Sequence, residues 1–124
     1  MTADLDLDPE QRDELARLLG EDSLGSLLRD WRRFIAAVER GYDDSIYEYT
    51  NDLSVRDRLE RVIDGASPGL RGQLEGTLAA DDKRFEAATE EAARPLGLTY
   101  TTWWWQRVPR RRVGELAQDL RAQS

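Results

Sequence analysis

Apolar residues recur at steps of three and four over most of the chain, the mark of helices buried along one face. The clearest stripe is Leu24, Leu27, Leu28, Trp31, Phe34, Ile35 and Val38. Asp22 or Ser23 supplies its N-cap and Gly41 its stop, and Arg29, Arg32, Arg33 and Arg40 fall on the outer face. A shorter helix precedes it. Asp8-Pro9-Glu10-Gln11 offers a capping residue, a proline suited to the first helical position and a glutamine at the capping-box position. Leu15, Leu18 and Leu19 then form its apolar face, and Gly20 ends it.

Beyond Gly41 the stripe is Tyr42, Ile46, Tyr49 and Leu53, followed out of phase by Val55, Leu59, Val62 and Ile63. The slip predicts two helices with a bend near Leu53-Ser54, Ser54 and Asp57 marking the second start. Gly65 to Gly69, with Ser67 and Pro68, reads as a turn. A long helix follows from about Pro68 to Ala92 along Leu70, Leu74, Leu78, Phe85, Ala88 and Ala92, ended by Pro95 and Gly97. From Leu98 to Val108 the residues are β-branched and aromatic with no helical stripe. No partner strand is visible, so this segment is expected as extended chain laid over the helices or as a strand paired with a second copy. Val113, Leu116, Ala117 and Leu120 make a short last helix. The expected fold is all-α: one domain over residues 1–124, a compact bundle of about five helices with the Trp-rich segment 98–108 packed across it.

Composition fits that reading and removes several chemistries. A chain of 124 residues buries roughly two-thirds of its unfolded surface, enough for a core without disulfides. Mean hydropathy is -0.70, and no run of ~18 apolar residues is present, so no membrane span is expected. The start of the chain, with Asp4, Asp6 and Asp8, lacks the basic-then-apolar order of a secretory leader, so a cytoplasmic location is expected. There is no Cys and no His, which excludes thiol nucleophiles, imidazole bases and the usual zinc site. No glycine-rich dinucleotide or phosphate-loop pattern appears, so no cofactor is expected.

Charge is the uneven feature. The net charge is -7, which argues against nucleic acid as a partner. Yet Trp103-Trp104-Trp105-Gln106-Arg107-Val108-Pro109-Arg110-Arg111-Arg112 holds four arginines and no acid. In an extended chain Trp103 and Trp105 point one way and Trp104 the other, so at least one ring is expected at the surface. Exposed Trp and Arg together are typical of interface hot spots. Trp103, Trp104, Trp105, Arg107, Arg110, Arg111 and Arg112, with Tyr47, are therefore the candidate partner-binding residues, the partner being another protein or a second copy. If Arg110 to Arg112 open the last helix, they meet the unfavourable end of its dipole, which a bound anion or the acidic N-terminus would relieve. The plain alternative is a tryptophan plug that closes the bundle, with the arginines paired to surface acids.

The carboxylates offer a second candidate. Asp81 falls inside the stripe of Leu74, Leu78 and Phe85, where a charge must be paired or metal-bound. Glu48 and Asp52 are four apart and share a helix face. Should Glu48, Asp52 and Asp81 converge, they could hold Mg²⁺ through oxygen ligands. The plain alternative pairs them with arginines such as Arg56, Arg58 or Arg84. Asn51 and Asp52 either shape the expected bend or rim a pocket walled by Tyr42, Tyr47 and Tyr49. Two functions follow: a non-catalytic protein-interaction module, or a metal-dependent hydrolase of a phosphorylated small molecule.

Overall fold

The computed structural model describes residues 6–92, 102–111 and 113–122. The chain forms α1 (Pro9–Leu19), α2 (Leu24–Arg40), α3 (Ile46–Gly65), α4 (Pro68–Ala88), β1 (Thr89–Glu91), a 3-10 turn (Trp103–Gln106), β2 (Arg107–Pro109) and α5 (Gly114–Ala122). The described residues make an all-α bundle of five helices with one small two-stranded sheet.

Local chemistry sets the helix ends. At α1 the Asp8 carboxylate accepts from the Gln11 N–H at 2.8 Å, and the Gln11 side chain accepts from the Asp8 N–H at 3.1 Å. This reciprocal pair satisfies two orphan donors. Ser23 and Ser45 cap α2 and α3 in the same manner, through the N–H groups of Ser26 and Glu48. Ser67, which precedes α4, instead donates through its N–H and hydroxyl to the Glu14 carboxylate of α1, at 2.6 and 2.8 Å. That contact ties α1 to the start of α4 and places a negative charge where the helix dipole favours one.

The core has an aromatic end and an aliphatic end. Trp31 and Phe34 of α2 meet Phe85 of α4 and Tyr49 of α3, with ring centroids 5.0 to 5.9 Å apart. Leu28, Leu59, Leu70, Leu74 and Leu78 fill the other end. Such packing supplies the main stabilising term in a protein this small.

The bend expected near Leu53-Ser54 is absent, and α3 runs unbroken from Ile46 to Gly65. Two facts explain the change of phase. Helix α3 packs against α1, α2, α4 and α5, so it buries Tyr49 and Leu53 together with Val55, Arg56 and Leu59 rather than one stripe. Its poor helix formers are also satisfied in place: the Ser54 hydroxyl donates to the Asn51 carbonyl at 2.6 Å, and the Asp52 carboxylate accepts from Tyr42 OH at 2.7 Å.

The long fourth helix stops at Ala88, four residues before the expected Ala92. Thr89 turns the chain there. Its buried hydroxyl donates to the Phe85 carbonyl and accepts from Arg107 Nε, both at 2.7 Å. Thr89–Glu91 then pairs antiparallel with Arg107–Pro109, in the register Thr89↔Pro109, Glu90↔Val108, Glu91↔Arg107. The Trp-rich segment thus has a strand partner within its own chain. Its residues 98–101 lie outside the described residues.

Helix α5 closes the bundle through Leu116, which is fully buried, and through two backbone contacts near the start of α3. The Glu115 N–H donates to the Asp43 carbonyl, and the Asp119 carboxylate accepts from the Ile46 N–H at 2.9 Å. Gly114 makes this approach possible. Its φ is +58°, and a Cβ there would stand 2.7 Å from the Asp43 carbonyl oxygen. Gly114→Ala is expected to lower stability by about 2 kcal/mol, through backbone strain and the displaced contact. A urea unfolding midpoint indistinguishable from wild type would refute this docking geometry.

Candidate functional site

The ten-residue Trp/Arg run does not stay extended. Trp103 to Gln106 wind into a 3-10 turn, so Trp104 and Trp105 fall side by side instead of on opposite faces. Both are buried, and both indole N–H groups donate to the carboxylate of Asp57 on α3, at 2.8 Å each, with a second contact from Trp105 at 3.1 Å. One acid therefore satisfies two adjacent tryptophans. The Arg56 guanidinium lies over the Trp104 ring, 4.4 Å from its centroid. Arg56 also forks onto Asp82 at 3.0 and 2.9 Å, reaches Glu60 at 3.0 Å, and is itself only 5% exposed. Asp82 further accepts from Trp31 Nε1 at 3.1 Å. The result is one connected polar network, Trp31–Asp82–Arg56–Glu60 with Trp104 and Trp105 on Asp57, between α2, α3, α4 and the 3-10 turn.

Trp104, Trp105 and Arg107 are thereby built into the fold. Arg107 donates to Thr89 and to the Glu86 and Thr89 carbonyls, closing the C-terminal end of α4. Its own carbonyl accepts from Tyr49 OH at 3.0 Å. Burial pushes the Tyr49 and Tyr42 hydroxyls well above the usual tyrosine range, so both remain donors; for Tyr42 the neighbouring Asp52 adds to this.

The outward-facing members of the candidate set are Trp103, Arg110, Arg111 and Tyr47. Trp103 is 37% exposed, with one side against Phe85 at 6.0 Å between centroids and against Trp104 at 5.6 Å. Tyr47 is 77% exposed, in the first turn of α3. Arg112 lies outside the described residues. The helix α5 begins at Gly114, so Arg110 and Arg111 do not meet its positive end. Arg111 Nη1 instead donates to the Arg40 carbonyl at 3.2 Å, at the C-terminus of α2, where a cation is favoured.

Arg110 and Arg111 border an open groove of about 340 Å³. Its floor is Val38 of α2 with Ala87 and Ala88 of α4, and its far rim is Arg84 with Glu39. Arg84 and Glu39 pair across α4 and α2 at 2.7 and 3.2 Å. Arg84 holds the Glu39 carboxyl below its ordinary value of 4.5, and Ser67 does the same for Glu14. A carboxylate whose pKa falls on folding adds stability above the unfolded value and loses it as pH drops through the folded value. Stability should therefore hold between about pH 7 and pH 5 and decline on further acidification. Glu39→Gln and Glu14→Gln should each flatten part of that acid limb; identical acid limbs in thermal melts of all three proteins would contradict it. Both groups are well exposed, so each effect is small.

The carboxylates considered as metal ligands are engaged separately. Asp81 accepts from Arg32 Nε at 2.8 Å, so this core-facing acid is answered by an arginine of α2. Asp52 accepts from Tyr42, and Glu48 sits in the first turn of α3 near the same hydroxyl. No group of three acids among the described residues is placed to hold a metal ion.

A second opening of about 370 Å³ lies between α2 and α3. Asn51 and Asp52 do rim it, but its apolar lining is Phe34, Ala37 and Val55, not the three tyrosines. The sequence pattern marks Asp57 only as part of a helix start and does not flag Asp82. The signal available for them is indirect: buried indole N–H groups require acceptors, and helix acids beside the apolar stripe are the nearest source. Among the described residues no helix is long and apolar enough to cross a membrane. Comparison with family models, with curated proteins and with solved structures finds nothing that matches this chain.

Proposed function

We propose that this chain is a non-catalytic, cytoplasmic protein-interaction module that takes an acidic, amphipathic segment of a partner protein into the groove beside Arg110 and Arg111. The observation that carries this reading is the groove itself: an apolar floor of Val38, Ala87 and Ala88 bordered by Arg84, Arg110 and Arg111, with Glu39 already paired to Arg84, on a protein whose net charge is -7. A basic rim attracts a negatively charged segment that the acidic remainder of the surface repels, which directs the segment to the groove. The apolar floor gives such a segment somewhere to bury a side chain. Trp103 adds a half-exposed ring beside Phe85, one turn of α4 before Ala88.

The test uses a fluorescein-labelled peptide of alternating glutamate and leucine, with a glutamine-for-glutamate peptide as control. Anisotropy should show saturable binding of the acidic peptide only, weakening as salt rises. Arg110→Glu should weaken it at least about tenfold, which is about 1.4 kcal/mol, with an unchanged melting temperature. Equal binding by both peptides, or no effect of Arg110→Glu, would overturn the proposal. A mass that grows with protein concentration and returns to monomer in Arg110→Glu would instead put a second copy in the groove. The reading as a Mg²⁺-dependent hydrolase has no comparable support, because Asp52 and Asp81 already have protein partners.

A further inference from the structure

The opening between α2 and α3 carries a different chemistry from the groove. The two helices are joined by only five residues, 41–45, and form a hairpin. Asp30 and Arg33 stand on the α2 wall, and Asn51, Asp52, Ser54 and Arg58 on the α3 wall. Phe34, Ala37 and Val55 supply apolar surface. Two negative and two positive side chains thus line one cleft, and none of the four makes an ion pair with a described residue. Asp52 is steered by Tyr42 OH; Asp30, Arg33 and Arg58 have no described hydrogen-bond partner.

Four charges of both signs that form no ion pair with one another among the described residues suit a ligand that carries both signs. A polyanion such as a nucleotide would face two carboxylates, and a polyamine two guanidinium groups, so like-charge repulsion disfavours each. The volume of about 370 Å³ falls at the lower end of the range for small-molecule sites. We infer that the α2–α3 cleft binds a small zwitterion of the amino-acid or dipeptide class, its carboxylate taken by one of Arg33 and Arg58 and its ammonium by one of Asp30 and Asp52. An aliphatic side chain on the ligand would rest on Phe34, Ala37 and Val55. Guanidinium groups suit this role because they meet a carboxylate through two parallel hydrogen bonds. This site is independent of the groove at Arg110 and can stand or fall alone.

The experiment is an amide NMR titration of the full chain with glycyl-leucine. N-acetyl-glycyl-leucine, which lacks the ammonium, and glycyl-leucinamide, which lacks the carboxylate, are run beside it, with AMP as the anionic comparison. The expected result is saturable shifts at Ala37, Asn51, Ser54 and Val55 with the dipeptide, and at least about tenfold weaker binding of each capped form. Arg58→Gln, at an exposed position, should weaken the dipeptide by a similar factor and leave the melting temperature in place; Arg33→Gln serves as the second variant. Absence of saturation up to about 10 mM, equal binding of a capped form, or tighter binding of AMP would each overturn the inference.

Discussion

Arg56→Ala is expected to be the most damaging single substitution in the polar network, lowering stability by about 3–5 kcal/mol. The guanidinium is nearly buried and holds both oxygens of Asp82 in a fork, while its face covers the Trp104 ring. Removing it leaves the largely buried Asp82 carboxylate with Trp31 Nε1, at 3.1 Å, as its remaining side-chain donor among the described residues. An unpaired buried charge is the expensive case, far more than the loss of a surface pair. Arg56→Lys keeps the charge but has no fork and no flat face, so it should fall between alanine and wild type. A double-mutant cycle with Asp82→Ala measures the pair directly, and the double variant should be less unstable than the two single losses summed. A loss of under about 1 kcal/mol for Arg56→Ala would show that water already solvates the pair.

Asp57→Ala should follow closely, at about 2–4 kcal/mol. Two buried indole N–H groups lose the Asp57 acceptor at once, and a buried donor left without an acceptor carries a desolvation penalty of about 1–3 kcal/mol. The same change should free the 3-10 turn from α3, with a red shift of tryptophan emission in native buffer. Asp57→Asn offers a single neutral acceptor oxygen in place of two charged ones, so it should recover part of the stability and part of the spectral position. If Asp57→Ala keeps both the wild-type emission maximum and the wild-type midpoint, the clamp on Trp104 and Trp105 is not structural.

The contrast between Asp57 and Asp8 shows where a sequence pattern carries structure and where it does not. The capping box at Asp8 and Gln11 is local, three residues apart, and the structure has it as the spacing predicts. The α2 stripe from Leu27 to Val38 is likewise legible, because a single face of that helix meets the core. Helix α3 defeats the same reasoning: neighbours on several sides erase the single stripe, and the change of phase imitates a break. The tryptophan run fails for a related reason. Alternation holds only for extended chain, and a 3-10 turn brings neighbouring rings together around Asp57, 47 and 48 residues away. The pattern gathers most of the candidate partner-binding residues into one segment but cannot separate Trp104, Trp105 and Arg107, held inside, from Trp103, Arg110 and Arg111, left outside. That division depends on long-range acceptors. For Asp81, the demand for a partner is legible; the identity of Arg32 as that partner is not, since Arg32 reads as outer-face.

The backbone donor of Ile46 is answered by Asp119, 73 residues further along. During synthesis at about 5–20 residues per second, the leading turn of α3 must wait roughly 4–15 seconds for that oxygen to be made. Through that interval α4 and the tryptophan turn are produced against a helix whose first turn is still unlatched. Closure of the bundle is therefore set by the arrival of α5, and its reversal is where opening should begin. Amide exchange at Ile46 and Glu115 would then report the same opening, two sites distant in sequence exchanging as one.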